Sequence, residues 1–233
     1  AEKMEQMKNL IISSGLTGAG DLNSRRSPQH HALRWLANVD KSVHEDEFAL
    51  ERYALAVLYY STSGTKEHTD PVGNWNNQNN WLSNEGHCAW YGIQCTGETQ
   101  GTEGDSRVAE LHLPDNNLVG TLPSELSALS AIVSLDLTGN TISSTLPDEY
   151  AKFEELAYLK LAENQIEGTI PESWAGMGLG SGLGLRELDL GYNKLTGTVL
   201  DGIFLSEEMR QLGLDNNDFE GTLPETVGTM THL

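Results

Sequence analysis

"LDLTGNTISSTLP" occupies residues 135–147, and four further stretches fall into register with it: "LHLPDNNLVGTLP" at 111–123, "LKLAENQIEGTIP" at 159–171, "LDLGYNKLTGTVL" at 188–200 and "LGLDNNDFEGTLP" at 212–224. Their asparagines, Asn116, Asn140, Asn164, Asn193 and Asn217, are spaced 24, 24, 29 and 24 residues apart. A period of this length marks units too small to bury an apolar face alone, so stacked neighbours must build one continuous core. The paired leucines of each unit, Leu111 with Leu113 or Leu212 with Leu214, lie two apart and enter the same side of a short strand. Each asparagine can hydrogen-bond backbone groups where the chain leaves that strand, and repeated in register it forms a structural ladder.

Beyond the strands, apolar residues return at every third position, as in Leu126, Leu129, Ile132 and Leu135 or Tyr150, Phe153, Leu156 and Leu159. That period suits short 3₁₀ segments on the outer side. The fourth unit carries Leu200 in place of proline and Ser206 in its third-position column, which predicts less regular packing. Its extra five residues fall within "GMGLGSGLGL" at 176–185, where the glycine content predicts a flexible bulge rather than a ligand-binding island. Thr121, Thr145, Thr169, Thr198 and Thr222 each follow a ladder asparagine by five residues and stack on the flank. They are either strand-forming scaffold residues or a row of hydroxyls for ice or a glycan. One narrow column favours the scaffold.

The repeats resemble the plant-type leucine-rich repeat family, with its LxxLxLxxNxLxGxIP consensus and its receptor-kinase ectodomains and polygalacturonase-inhibiting proteins. The resemblance covers residues 75 to 233, including a cap in which Trp75 and Trp81 precede "CAWYGIQC" at 88–95, similar to the family's C-x-W-x-G-V-x-C. It implies that Cys88 and Cys95 form a disulfide, which closes a loop of about eight residues and contributes roughly 2.5 kcal/mol in the chain-entropy model. The other reading, a zinc or redox pair, lacks clustered histidines and so lacks ligands. The implied fold is an α/β solenoid, a leucine-rich repeat superhelix with a parallel concave β-sheet, preceded by a helical N-terminal cap.

Three regions follow: a helical extension over 1–74, the cysteine-containing cap over 75–107, and about five repeats over 108–233. In the extension, Ser27 as N-cap and Pro28 at the first helical position start one helix. A second is expected through "EDEFALERYALAVLYYST" at 45–62, stopped by Gly64, with Phe48, Leu50, Tyr53, Ala54, Val57 and Leu58 as its apolar surface. Both are expected to pack on the cap without forming an independent domain. "NWNNQNNW" at 74–81 reads as a polar loop. "ERYALAVLYYST" followed by the tryptophans and the cap is similar to an algal subtype of the family.

Fourteen basic against thirty-four acidic residues give a formal charge of −20, which disfavours nucleic acid and anionic membrane surfaces. No apolar run approaches the roughly 20 residues of a membrane helix, so no membrane insertion is expected within this segment. The two cysteines and their implied pairing point to an extracellular or secretory-pathway setting. Because the register stops mid-repeat at Leu233, further chain is expected beyond it, such as more repeats or a membrane anchor.

Seven histidines are scattered, and no nucleophile elbow, phosphate loop or HExxH pattern occurs, so neither an enzyme nor a cofactor nor a metal site is expected. The expected function is recognition of a protein or peptide, favoured to be basic, on the concave face or the flank. Its candidate residues are Glu110, His112, Asp136, Tyr158, Lys160, Arg186, Asp189, Tyr192, Arg210 and Asp215, with the tyrosines as aromatic anchors. The alternatives are a secreted inhibitor of a cell-wall hydrolase, a structural or assembly subunit, and ice or glycan binding by the threonine row.

Overall fold

A computed structural model describes residues 2–41, 46–63, 74–97, 106–179, 184–202, 206, 208–229 and 232. Each repeat opens on a short strand: β2 (Val108–His112), β4 (Ser134–Asp136), β6 (Tyr158–Lys160), β8 (Glu187–Asp189) and β10 (Gln211–Gly213). These pair in parallel, and β1 (Ile93–Cys95), from the cap, adds to β2 as an antiparallel edge that the repeat pattern did not announce. Flank strands β3 (Val119–Gly120), β5 (Thr141–Ile142), β7 (Glu167–Gly168), β9 (Lys194–Gly197) and β11 (Asp218–Phe219) form narrow parallel sheets of their own. The outer side is made of 3₁₀ turns such as Ser124–Ala128 and Asp148–Lys152. This is the layout expected from the two-residue and three-residue apolar periods.

Register places the leucines of successive strands side by side, Leu111, Leu135, Leu159, Leu188 and then Leu212. The first four are buried, whereas Leu212 and Leu214 are only partly so. The asparagine ladder closes each step. Asn164 Oδ1 accepts the Ile142 amide at 3.0 Å, and its Nδ2 donates to the Leu137, Leu161 and Ala162 carbonyls. Asn116 has no repeat before it and reaches the cap instead, accepting from the Asn77 amide and donating to the Asn77 carbonyl. The loop 74–81 is therefore the solenoid's first ladder partner as well as a polar loop.

One position before each ladder asparagine, the chain is left-handed: Asp115, Gly139, Glu163, Tyr192 and Asn216 have φ of 51°, 70°, 56°, 54° and 54°. For Glu163 and Tyr192 this conformation carries a cost of order 1 kcal/mol that glycine would not incur.

The helical extension comprises α1 (Glu2–Ser13), α2 (Ala19–Asn23), α3 (Pro28–Asn38) and α4 (Asp46–Thr62). Ser27 caps α3 by accepting the His30 amide, as its sequence predicts. The first two helices were not foreseen. Gly64, the expected helix stop, and residues 180–183 of the expected bulge lie outside the described residues.

Helix α4 differs from its expected one-sided form. Residues 51–59 are all buried, because the helix lies between α3, the cap and the first repeat, plugging the end of the solenoid core. Its carboxyl end replaces a missing coil: the Thr121 amide bonds the Ser61 carbonyl, and Ser63 bridges Val119 in parallel. At Gly120 a Cβ would lie within 2.0 Å of that carbonyl, so only glycine allows the approach.

The charges of α4 are buried with it. Arg52 donates from Nε and Nη2 to both Asp40 carboxylate oxygens at 2.7 and 3.0 Å, and to the Glu85 and Ser83 carbonyls. Its guanidinium carbon lies 5.1 Å from the Trp35 ring centroid and 4.9 Å from that of Trp90. Glu51 faces the other way, accepting Arg107 Nε at 2.6 Å and the Val108 amide at 3.2 Å. Around these charges Trp75, Trp81 and Trp90 pack in sequence, with centroids 4.7 and 5.1 Å apart.

Candidate functional site

The concave sheet shows two in-register rows of outward side chains. One is Glu110, Ser134, Tyr158, Glu187 and Gln211; the other is His112, Asp136, Lys160, Asp189 and Gly213. Strand alternation puts both rows outside the leucine columns, which is why most of these residues are half-exposed. Six of the sequence-predicted residues, Glu110, His112, Asp136, Tyr158, Lys160 and Asp189, are thereby brought onto one surface.

That surface is partly occupied by its own hydrogen bonds. His112 Nε2 lies 2.7 Å from Ser134 Oγ, and its Nδ1 is 3.7 Å from Glu110 Oε2. Lys160 Nζ sits 3.0 Å from Glu187 Oε2; that hydrogen bond, with Asp136 and Asp189 alongside, holds its ammonium above the usual lysine range. Asp136 Oδ1 accepts the Thr138 amide and Asp189 Oδ1 the Gly191 amide, so both carboxylates also hold the turn into the ladder.

The remaining predicted residues lie at the margins. Arg186 and Arg210 precede β8 and β10, and Arg210 is exposed, 4.0 Å from Glu208. Asp215 accepts from Asn216 in the last turn. Tyr192 is 57% exposed and stands in the left-handed column, five coil positions on from the row that holds Tyr158. The two tyrosines therefore occupy different columns of the surface.

The threonine row has a packing reason. The methyl carbons of Thr145, Thr169 and Thr198 lie 3.0, 2.9 and 3.2 Å from where a Cβ would stand on Gly168, Gly197 and Gly221 of the following coil. Each methyl thus fills the space its neighbour's glycine leaves, while the residue as a whole stays exposed. Where the first step would show glycine it has Ser144, whose Oγ accepts the Leu122 amide at 3.1 Å.

This flank ends at the helical extension in a polar cleft of about 430 Å³ between Pro28, Gln29, Thr121, Glu125, Thr145 and Asp148. Glu125 is buried in its wall, accepting Thr17 Oγ1 at 2.7 Å, and Thr17 Oγ1 in turn lies 2.9 Å from Tyr53 Oη. Burial pushes the Glu125 carboxyl above the usual carboxylate range, with Asp21 adding to the rise.

Cys88 and Cys95 form the disulfide that the cap's resemblance implied. The expectation that no histidine clusters with them is corrected: ligand atoms of His87, Cys88 and Cys95 all lie within 4.8 Å of one another. The adjacency of histidine and cysteine at 87 and 88 was the available signal. Glu51, Arg52 and Glu125 were missed for another reason, since charged residues inside amphipathic patterns read as solvent-facing.

A leucine-rich repeat family model matches residues 184–205. The LRR ectodomain of the Arabidopsis thaliana receptor kinase SOBIR1 is similar in structure, with a TM-score of 0.57 at 27% identity over 65% of this chain and 80% of that one. The chain carries a leucine-rich repeat and is similar in fold to a plant receptor-kinase LRR ectodomain. The Arabidopsis thaliana BIR3–SERK2 complex gives a TM-score of 0.55 at 27% identity over 69% of this leucine-rich repeat chain and 80% of the other. The BIR2 ectodomain from the same plant, at 24% identity, shares the fold with a TM-score of 0.56 over 79% and 86% of the two chains. No curated protein sequence matches significantly. Among the described residues no helix is long and apolar enough to cross a membrane.

Proposed function

We propose that this protein is a non-enzymatic recognition module of the receptor-ectodomain kind, acting outside the cell or in the secretory lumen, and that its concave sheet takes a basic segment of a protein or peptide. The observation that carries this is the pair of in-register rows. They present Glu110 and Tyr158 beside Asp136 and Asp189, with Lys160, held by the largely buried Glu187, as the one cation set within them. Opposite charge across an interface favours encounter and register more than raw affinity, so binding here should weaken steeply with salt. The similarity to an ectodomain of a receptor kinase and to a chain of the BIR3–SERK2 complex supports a binding role.

The test is a random peptide array probed with the full chain at low and physiological salt. Captured sequences are expected to be rich in Lys and Arg. Tyr158→Ala with Glu187→Gln is expected to reduce affinity for the best peptide about tenfold or more, in line with loss of an aromatic contact and a charge pair. Capture indifferent to peptide charge, or unchanged by these substitutions, would place recognition elsewhere.

A further inference from the structure

We propose that the reduced amino-terminal cap is a Zn²⁺ site, in which Cys88, Cys95 and His87 replace the disulfide with a Cys₂His ligand set. His87 opens the 3₁₀ turn His87–Ala89, immediately before Cys88, and is 5% exposed. Its Nε2 makes no hydrogen bond among the described residues; Glu51 Oε2, 3.4 Å away, is near enough to pair but not aligned to bond. A ring nitrogen of this buried imidazole lies within 4.8 Å of both sulfurs.

The distances suit the ion. Zn–S bonds of about 2.3 Å and Zn–N bonds of about 2.0 Å set tetrahedral ligand atoms roughly 3.5–3.8 Å apart. The three donor atoms already lie within 4.8 Å of one another, so once the sulfur–sulfur bond opens only small adjustments are needed. Cys88 lies in the turn and Cys95 at the end of β1. Glu51 is anchored by Arg107 and the Val108 amide, and it backs the imidazole as carboxylates back metal-bound histidines. The fourth position is left for water.

The chemistry balances with a dithiol reductant. Two electrons and two protons pass to the disulfide, the sulfur–sulfur bond breaks, and the reductant becomes its own disulfide. Zn²⁺ then displaces both thiol protons, giving two thiolates and a neutral imidazole around a dication, a site of zero net charge. Cys88 is exposed and Cys95 partly so, which gives the reductant access. The site would keep the end of the core sealed over Trp90 whenever a dithiol reductant opens the disulfide.

The experiment titrates the full chain with Co²⁺ after reduction and anaerobic removal of the reductant, following visible absorption and near-ultraviolet circular dichroism. The expected result is the intense d–d spectrum of tetrahedral thiolate Co²⁺ at one equivalent, displaced by one equivalent of Zn²⁺. His87→Asn should weaken binding at least about tenfold, and both Cys88→Ser with Cys95→Ser and the oxidised protein should bind none. Absence of the spectrum in the reduced chain, whether or not the cap stays folded, overturns the proposal. So does equal binding by His87→Asn.

Discussion

Replacing Arg52 by methionine keeps most of the stem that packs between Trp35 and Trp90 and removes the guanidinium. The Asp40 carboxylate, 2% exposed, then loses two charge-assisted bonds of 2.7 and 3.0 Å, and the Ser83 and Glu85 carbonyls lose their donors. Breaking a buried pair from one side costs about 3–5 kcal/mol, because the remaining charge stays in a low-dielectric site. For a chain of this size that lowers the thermal midpoint by roughly 6–20 °C. Since repeats are coupled mainly to their neighbours, the loss should appear first at the amino-terminal end. Tryptophan fluorescence during urea unfolding is the assay, because Trp35 and Trp90 flank the lost cation. Arg52→Met with Asp40→Leu, which leaves no charge behind, should be more stable than Arg52→Met alone. A single-variant cost below about 1 kcal/mol, or a double variant no better than the single, would refute the reasoning that the lost Arg52–Asp40 bonds set the penalty.

The buried Glu125 makes the joint between extension and repeats pH-sensitive. Its carboxyl is raised in the fold, so the folded state holds the proton more tightly: the contribution is complete below the ordinary carboxylate range and is lost as pH rises through the raised value. Glu125→Gln should therefore raise the thermal midpoint at neutral pH and flatten its slope between acid and neutral, and an unchanged slope in melts across that window counts against it. On the flank, Thr169→Val should leave stability within about 0.5 kcal/mol, whereas Thr169→Ser, which removes the methyl packed on Gly197, should cost up to about 0.8 kcal/mol by chemical denaturation. The opposite order would mean that the hydroxyl, not the methyl, is what the column needs.

The repeats were legible because their code is local. A strand's two-residue alternation and an asparagine at its end recur within one coil, so Leu135, Leu137 and Asn140 announce their places without knowledge of anything distant. The candidate surface was legible to the same degree, as the rows through Tyr158 and Lys160 follow from alternation alone. What those side chains do to one another was not, since Lys160 meets Glu187 across 27 residues and His112 meets Ser134 across 22, through the pairing of neighbouring coils.

The helical extension shows the limit most plainly. Sequence by itself determined that α3 starts at Ser27 and that α4 is an apolar helix, both being matters of capping and composition. Only the tertiary structure decided that α4 is enclosed on every side, that Arg52 finds Asp40 and two indoles, and that His87 lies against the cap disulfide. A charged residue in a helix defaults to solvent unless a partner from another segment compensates its desolvation. That compensation is a property of how segments pack, and no local period encodes it.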